Sequence, residues 1–206
     1  AVVKSTNLPV TVKTRLGWDE QSKRIVEVAE RLQDVGIQAL TIHARTRSQM
    51  YKGHSDWSWI EKVKNNPRMK IPVFGNGDID SPAKALEYKN KYGVDGIMIG
   101  RASIGYPWIF REIKHFFQKG EYLAPPTFIE RVEAVRKHLS DSILWKGEKL
   151  GVLEMRRHYT NYFKGEKGIS QYRSRLVTEN SANCLFEILD EMSLAYSSEE
   201  NIQVFC

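Results

Sequence analysis

Short apolar runs alternate with helical segments along the first half of this chain, and this alternation limits the possible folds more than any other feature. The strand-like runs lie at 9–14, 38–43, 71–74 and 95–99. They recur at intervals of about 25–35 residues, the size of a β-α unit. The segments between them have the periodicity of amphipathic helices. Four β-α units in series predict a parallel sheet covered by helices.

Two of the intervening helices have clear signals in the sequence. The segment 21–35 places Ile25, Val28, Ala29 and Leu32 on one face, and a glycine follows its end. A second helix is predicted to open at 80–82, where Asp-Ser-Pro places a capping residue before a proline in the first turn. The helices are thus predicted to begin and end between the strands.

The character of the sequence changes near Gly120. Two prolines interrupt the alternation at 125–126, and Thr127 with Glu130 then forms the pattern of a capping box, which predicts a helix to about 145. Two further helical stretches are predicted at about 149–163 and 170–195, joined by a segment that contains two glycines. We therefore predict two domains, an α/β domain over 1–119 and an all-helical domain over 120–206.

The charge of the chain is unevenly distributed. Its 31 Lys and Arg residues exceed its 25 Asp and Glu residues by six, which fits either a polyanionic partner or solubility alone. Six basic residues face only two glutamates between 154 and 175, whereas 176–206 contains no Lys or Arg. The positive charge is therefore concentrated in the middle of the predicted helical domain.

Cysteine usage and hydropathy narrow the class of protein. The two cysteines, Cys184 and Cys206, have the spacing of neither a metal site nor a disulfide framework. No apolar run approaches the roughly 18 residues that a membrane-spanning helix needs. We expect a soluble protein of the reducing cytoplasm, without a bound metal.

Polar side chains occupy the ends of the first two predicted strands. Alternate residues of a strand share a face, so Lys13 lies with Thr11 and Arg15, and His43 lies with Thr41. Polar groups at the carboxyl ends of barrel strands usually serve a ligand, because an unpaired buried lysine is costly. Lys13 and His43 are therefore candidate site residues, with partly solvated strand ends as the alternative interpretation.

Glycine and polar residues follow the third and fourth predicted strands, at Asn76-Gly-Asp78 and Gly100-Arg101. Glycine lets the backbone approach an anion, the following helix offers free N–H groups, and arginine offers a forked donor to phosphate oxygens. Each motif alone is weak, since Asn-Gly and Gly-Asp also form ordinary turns. Because the two motifs occur in adjacent β-α units, they predict a ligand that carries a phosphate.

Short motifs also follow one another in a fixed order over nearly the whole chain. They are Val12-Lys-Thr-Arg-Leu-Gly-Trp18, His43-Ala-Arg-Thr46 with Gln49, Tyr51, Gly53, Asp56 and Trp57 after it, Gly75-Asn-Gly-Asp78, Met98-Ile-Gly-Arg-Ala102, Met155-Arg-Arg-His-Tyr159 and Tyr162-Phe-Lys-Gly165. Together they resemble the tRNA-dihydrouridine synthases, most closely the bacterial B-type branch. The resemblance implies the C-terminal half of a TIM (β/α)8 barrel, with strands five to eight, followed by an all-helical domain.

The resemblance also implies an activity and a cofactor. Such enzymes reduce a uridine of tRNA to 5,6-dihydrouridine with flavin mononucleotide (FMN) as cofactor and NADPH as electron source, after the base has been flipped out of the RNA stack. By position, it implies that Lys13 contacts the flavin ring and that His43 lies against FMN. It implies that the ribityl chain and phosphate are held by Asn76, Gly77, Asp78, Gly100 and Arg101.

In the family the helical domain helps to grip tRNA, and the concentrated basic residues suit this role. The candidate RNA contacts are Arg156, Arg157, His158, Lys164, Lys167, Arg173 and Arg175, with Arg45 and Arg47 at the barrel mouth. The rings of Tyr159, Tyr162 and Tyr172 suit base stacking, with a solvated helix face and core tyrosines as the alternative interpretation. We expect Trp57, Trp59, Trp108 and Trp145 to pack in cores.

One element of the family's chemistry is missing from these 206 residues. The catalytic cysteine of the family lies in an Asn-x-Gly-Cys-Pro-like motif in the first half of the barrel, and neither Cys184 nor Cys206 matches it. We read the chain as beginning in mid-barrel, and we expect it alone to bind FMN weakly at best and to make no dihydrouridine. The open sheet would then be covered by the missing half or by a second copy.

Two other functions remain open from the sequence. A phosphate-binding barrel enzyme that acts on a small metabolite would share the glycine-containing turns, but it would not need a basic helical domain. A non-catalytic RNA-binding module would explain the missing cysteine. FMN absorbance distinguishes a flavin enzyme from such a module, and steep salt dependence of tRNA binding distinguishes both from a metabolite enzyme.

Overall fold

The computed structural model describes residues 1–203, with the side chains of 1–196. These residues divide into two compact units. The first comprises Ala1–Ala102 and Ile109–Tyr122, and the second comprises Ser103–Trp108 and the described residues from Leu123 onward. One of the two cysteines on which the sequence interpretation relied, Cys206, lies outside the described residues.

The first unit is built on a four-stranded parallel sheet with the strand order β1-β2-β3-β4. Its strands are β1 (Thr11–Arg15), β2 (Ala39–His43), β3 (Val73–Asn76) and β4 (Gly96–Met98). All four predicted strands and their parallel arrangement are confirmed. The third strand begins and ends two residues later than predicted, which brings Asn76 into the strand itself.

Helices follow each strand of the first unit. They are α1 (Ile25–Asp34), α2 (Ser58–Lys64), α3 (Pro82–Tyr92) and α4 (Ile109–Lys119). The helix α3 begins as predicted, because the Ser81 hydroxyl accepts a hydrogen bond from the Lys84 N–H. The helix α1 begins four residues later than predicted, because Ser22 is held in a turn in which its N–H donates to the Asp19 carboxylate.

The helices cover one face of the sheet. Leu40, Ile42 and Val73 of the strands are completely buried. They share one core with residues of the helices, including Ile25, Ala29, Ile60, Val63 and Ala85. Because alternate strand residues point to opposite faces, Thr41, His43, Phe74 and Asn76 lie on the other face.

The buried indole of Trp57 fixes the third strand against the helices. Its ring lies where a side chain at Gly75 would be, since a Cβ there would come within 2.0 Å of the ring. The indole N–H donates to the Gly77 carbonyl at 3.0 Å, and the ring packs on Tyr88 and Tyr92. The predicted packing role of Trp57 is confirmed.

The second unit is helical and has a core of its own. Its helices are α5 (Phe128–Lys146), α6 (Glu148–Tyr162), α7 (Ile169–Thr178) and α8 (Ala182–Gln203). Completely buried residues from each helix, such as Leu139, Met155, Leu176 and Leu189, form this core. The predicted capping box is confirmed, with both reciprocal hydrogen bonds between Thr127 and Glu130 present.

The predicted helix over 170–195 is wrong as a single element. The chain leaves the helical conformation at Glu179, whose φ of −65° and ψ of 144° are extended. The Glu179 carboxylate accepts the N–H groups of Asn180 and Ser181. These local side-chain bonds compete with the helical ones, so the pattern forms two helices.

The four tryptophans expected in cores do not behave alike. Trp59 and Trp108 are partly buried against the cores of their units. Trp145, in contrast, is 85% exposed at the end of α5. The prediction that Trp145 packs in a core is therefore wrong, because the last turn of α5 leaves this side chain in solvent.

Candidate functional site

Two rows of side chains cross the open face of the sheet. The strand register aligns Lys13 with Thr41, and it aligns Arg15 with His43. The second row continues from His43 to Asn76 and on to Met98. The site residues on β1, β2 and β3 therefore share one face and reach its carboxyl edge, where parallel α/β folds place their ligands.

The two titratable side chains of this face have shifted pKa values. Burial lowers the pKa of Lys13, and the positive charge of Arg15 lowers it further. Burial also lowers the pKa of His43, which is 8% exposed, to about 4, aided by the charges of Arg15, Lys13 and Arg45. His43 is therefore neutral at pH 7, with one nitrogen that donates and one that accepts.

Arg15 connects the open face to the loop after β2. Its guanidinium donates to the carbonyl of Thr46 at 2.8 Å and to that of Met50 at 3.4 Å. The loop is thereby fixed beside the carboxyl ends of β1 and β2. This long-range contact has no local signal in the sequence.

The Asn76-Gly77-Asp78 turn is held rigidly at the end of β3. The Asn76 amide donates to the Met98 carbonyl at 2.8 Å and so joins the ends of β3 and β4. Gly77 has a φ of 136°, and a Cβ there would lie 2.8 Å from the Cβ of Ser55. Asp78 adopts a φ of 54°, which is uncommon for a residue with a side chain. Local packing alone therefore requires the glycine at 77.

Asp78 is the centre of an ionic cluster. Its carboxylate accepts hydrogen bonds from Arg45 at 2.7 and 2.8 Å, from Arg101 at 2.9 Å and from the Ser55 N–H at 2.8 Å. Burial opposes its ionisation, but the hydrogen bonds from Arg45 and Ser55 outweigh burial and hold the pKa of Asp78 at about 2. The carboxylate is therefore ionised throughout the physiological range and binds guanidinium groups, not anions.

Arg45, predicted as an RNA contact, lies inside the first unit. It is 2% exposed, and its Nη2 also donates to the Gly53 carbonyl at 2.8 Å. Its Nε and Nη1 are buried without a hydrogen-bond partner among the described residues. A guanidinium so buried cannot contact an RNA phosphate, so the predicted role does not fit this position.

Gly100 and Arg101 lie directly after β4. A Cβ at Gly100 would meet no atom within 4 Å, so the packing of the protein does not require a glycine here. A ligand that approaches the backbone closely would be a reason for one. Arg101 is exposed and lies between the Asp78 carboxylate and the ring of Tyr51, 4.8 Å from the ring centroid. Its guanidinium has access to a ligand from solvent.

The seven predicted RNA contacts of the second unit differ in their partners and in their exposure. Arg156 donates to the carbonyls of Thr178 and Glu179 at the C-terminal end of α7. Arg175 pairs with Glu191 of α8. Such partners leave these two guanidinium groups less available to RNA. The predicted contacts of this unit that are exposed to solvent are Arg157, Lys164, Lys167 and Arg175.

His158 and Arg173 are both half-buried, and the structure gives each a different setting. The ring of His158 packs on that of His138, 4.8 Å between centroids, beside an open cavity of about 230 Å³ that Trp145 also lines. The Nε of Arg173 is buried without a hydrogen-bond partner among the described residues. The structure thus gathers His158 and Arg157 at this cavity.

The tyrosines of the basic segment belong mostly to the helical core. Tyr159 is 1% exposed and Tyr162 is 5% exposed, so neither ring can stack on a base. Burial raises the pKa of both hydroxyls. Tyr172 is only half-buried, packed against the same core. The alternative interpretation, core tyrosines, is correct for Tyr159 and Tyr162.

Trp18 and Tyr51 are residues whose setting the sequence did not reveal. They follow β1 and β2 and are 67% and 58% exposed, although large aromatic side chains are usually buried. Their only signal was their place within the quoted motifs.

Among the described residues, none of the helices has the length and hydropathy of a membrane-spanning segment.

A parallel α/β unit with cationic and polar groups at the carboxyl edge of its sheet, in one chain with a helical unit that carries a basic segment at 156–175, is the arrangement of a ligand-binding protein. Residues 1–194 match the family described as Dihydrouridine synthase (Dus). The chain belongs to this family, and the resemblance stated from its motifs is confirmed.

Curated relatives agree with this assignment. The chain is 43% identical over 190 residues to a protein named Probable tRNA-dihydrouridine synthase 1 from Synechocystis, an alignment that covers 92% of this chain and 53% of the relative. It is 40% identical over 186 residues to tRNA-dihydrouridine synthase B of Pseudomonas aeruginosa, covering 89% and 55%. A Rickettsia conorii relative, named Probable tRNA-dihydrouridine synthase, is 36% identical over 205 residues, covering 100% and 61%. The chain thus spans between half and two thirds of the length of these relatives.

Proposed function

We propose that this chain supplies the FMN-binding half and the RNA-binding helical domain of a tRNA-dihydrouridine synthase. In this proposal the four strands are the C-terminal half of a TIM barrel, with the α/β domain over 1–119 and the helical domain over 120–206. The observation that carries the proposal is the register of the sheet. It brings Lys13, His43 and Asn76 to one face at the carboxyl edge, with Arg101 after the next strand.

The described residues fit a flavin nucleotide. The exposed guanidinium of Arg101 would bind the terminal phosphate, and Gly100 would let the backbone approach it, since no atom of the protein lies where its side chain would be. Asn76 and Gly77 would border the ribityl chain. Asp78 would act by holding Arg101 in place, because its own ionised carboxylate repels phosphate.

Bound FMN would supply the hydride chemistry of uridine reduction, with NADPH as the source of electrons. Lys13, with its lowered pKa and partly desolvated ammonium group, would place a positive charge against the flavin ring. Neutral His43 would donate one hydrogen bond there without adding charge. Both side chains are fixed on the sheet, which suits precise orientation of a ring.

tRNA is the proposed substrate, as the names of the relatives suggest. The side chains proposed to contact its phosphates are Arg47 of the first unit and Arg157, His158, Lys164, Lys167 and Arg173 of the second. Arg156 and Arg175 belong to the same basic segment and would contribute to its positive potential. All of these basic side chains lie within the 206 residues, so tRNA binding by this chain can be tested directly.

Proton donation to the reduced base is the step that these residues do not supply. No Asn-x-Gly-Cys-Pro-like motif occurs in the 206 residues, and Cys184 lies on α8 of the second unit. We therefore propose that this chain alone makes no dihydrouridine. Incubation with unmodified tRNA, FMN and NADPH should yield none, and robust turnover would contradict this part of the proposal.

Titration of the purified chain with FMN, followed by flavin fluorescence, tests the cofactor site. We expect saturable binding that weakens about tenfold or more in Arg101→Ala, because a charge-assisted contact to phosphate is lost. Lys13→Ala should weaken binding less and shift the flavin absorbance. Arg111→Ala, which removes an exposed arginine from α4, is the charge-matched control and should bind as the wild type does.

Each outcome of the titration has a clear meaning. Binding that Arg101→Ala leaves unchanged would contradict the phosphate assignment. Absence of binding by the folded chain, even after addition of the N-terminal half of a relative, would contradict the flavin proposal itself. In that case the RNA-binding module becomes the favoured function, and tRNA binding with steep salt dependence would support it.

A further inference from the structure

Two aromatic side chains project into solvent at the edge of the sheet where the candidate cofactor site lies. Trp18 follows β1 and is 67% exposed, and Tyr51 follows β2 and is 58% exposed. Single exposed apolar side chains are common on protein surfaces, so the exposure of these two counts only together with their place beside the candidate site. Trp18 has no role in the proposed binding of FMN, and Tyr51 touches that site only through the guanidinium of Arg101.

The backbone around Trp18 is held rigidly although its ring is exposed. The Trp18 N–H donates to the Ser22 hydroxyl at 3.0 Å, and its carbonyl accepts from the Ser48 N–H at 2.8 Å. The carbonyl of Gly17 accepts from the Arg47 N–H at 2.9 Å. A rigid aromatic ring loses little conformational entropy on binding, which suits a preformed contact surface.

A guanidinium group accompanies each ring. The Arg47 guanidinium lies 6.0 Å from the centre of the Trp18 ring, and that of Arg101 lies 4.8 Å from the centre of the Tyr51 ring. Aromatic rings that stack on bases, next to cations that contact phosphates, are the usual means by which proteins bind unpaired nucleic acid. A stable protein interface would bury a broader apolar patch than two separate rings provide.

We propose that Trp18 and Tyr51 are stacking platforms for unpaired RNA nucleotides next to the uridine that enters the site, with Arg47 contacting their phosphates. The proposal rests on the proposed function, since it assumes that RNA approaches this edge of the sheet. The two loops are joined by the bonds of residues 17–18 to 47–48. They can therefore act as one surface that keeps the flanking bases apart while one base is extruded.

RNA binding by the full chain, loaded with FMN, tests the proposal. Two fluorescently labelled probes are compared by anisotropy, a hairpin with an uridine-rich unpaired loop and a fully paired duplex of equal length. Trp18→Ala and Tyr51→Ala should each bind the hairpin about tenfold more weakly, the size expected from losing one stacked base. Trp18→Phe should retain most of the affinity, because a phenyl ring still stacks.

Two controls separate stacking from other effects. Phe110→Ala removes an exposed aromatic side chain from α4 and should bind the hairpin as the wild type does. Binding of the duplex, which depends on phosphate contacts, should change little in Trp18→Ala or Tyr51→Ala. Circular dichroism establishes that each variant is folded.

The possible failures are distinguishable. If the wild type binds the hairpin and both alanine variants bind it equally well, the stacking inference is overturned and the proposed function stands. If the wild type binds neither RNA, the proposed function fails together with the inference. If Trp18→Ala instead abolishes self-association seen by sedimentation, the surface is a contact between protein copies, and the inference is overturned.

Discussion

The two units of this chain bury different kinds of side chain. In the first, the fully buried polar groups among the described residues are His43, Arg45 and Thr46, at the carboxyl end of one strand. In the second, the core consists of aliphatic, aromatic and methionine side chains. The helical unit thus has an ordinary apolar core. The sheet unit, in contrast, buries the charged side chain of Arg45.

That difference indicates where function constrains the fold. A buried guanidinium is costly unless it is paired, and replacing buried ion pairs by apolar residues is often neutral or stabilising. Groups with shifted pKa values in a ligand-binding position are typical of functional sites. Substitutions in the two units should therefore differ in which kind of buried group is costly to remove.

The largest effect is expected from Asp78→Ala. This substitution leaves Arg45, 2% exposed, without its anionic partner, so the free energy of unfolding should fall by roughly 3–5 kcal/mol. Chemical denaturation monitored by circular dichroism measures it. Asp80→Ala, which removes an exposed carboxylate two residues later, should change stability by less than about 0.5 kcal/mol. Equal effects of the two variants would contradict the importance of the buried pair.

Met155→Ala addresses the core of the second unit. Met155 is completely buried, so its truncation should lower the free energy of unfolding by roughly 2–5 kcal/mol through lost apolar burial and a cavity. Leu144→Ala, at an 80% exposed position of α5, should be nearly neutral. Thermal unfolding by calorimetry would contradict the prediction if both variants melted at the temperature of the wild type.

Substitution by alanine should lower the stability of the protein at Gly75 but not at Gly100. A Cβ at Gly75 would lie 2.0 Å from the buried Trp57 ring, so Gly75→Ala should destabilise the first unit by about 1–3 kcal/mol or more. Gly100→Ala meets no atom within 4 Å and should leave the melting temperature unchanged. If Gly100→Ala also left FMN affinity unchanged, its proposed role beside the phosphate would be wrong.

The smallest effect concerns the pH dependence that His43 contributes. The folded state holds the pKa of His43 at about 4, below the 6.5 of an unperturbed histidine, because burial disfavours the charged ring. As pH falls from 6.5 towards 4, the unfolded chain gains a proton that the folded one does not. The free energy of unfolding should therefore fall, by about 1–2 kcal/mol between pH 7 and pH 5.

His43→Gln should remove this contribution, as urea denaturation at the two pH values would show. Burial also lowers the pKa of His138 in the second unit, so His138→Gln should reduce the same dependence by its own share. A wild type whose stability rose on acidification over this range would contradict the lowered pKa of both histidines.

Patterns along the chain predicted the elements well where local forces decide them. The four strands, the Ser81 cap and the Thr127 capping box follow from residues that lie within a few positions of one another. Prediction of one helix over 170–195 was wrong because apolar periodicity continues across the break, while the side-chain bonds of Glu179 end α7.

Some properties of the candidate site could likewise be predicted from local patterns, and others could not. Alternation on a strand sufficed to pair Lys13 with Arg15 and to single out His43, and parallel pairing then placed them on one face. Arg45 was predicted to contact RNA because arginines just after a strand are usually exposed. In the structure it is buried and pairs with Asp78, 33 residues away, a contact that no local pattern predicts. The exposure of Trp18 and Tyr51 was missed for the same reason, since exposure is a property of the folded chain.

The sequence alone determined the β-α repeat, the helical second half and the family, because periodicity, caps and ordered motifs are local properties of the chain. Tertiary structure decided which charged groups are buried, which meet at Asp78 and which aromatic rings remain in solvent. These outcomes depend on contacts between residues 23 to 33 positions apart, such as Ser55 and Arg45 with Asp78. Desolvation and pairing act only once such distant residues have been brought together by the fold.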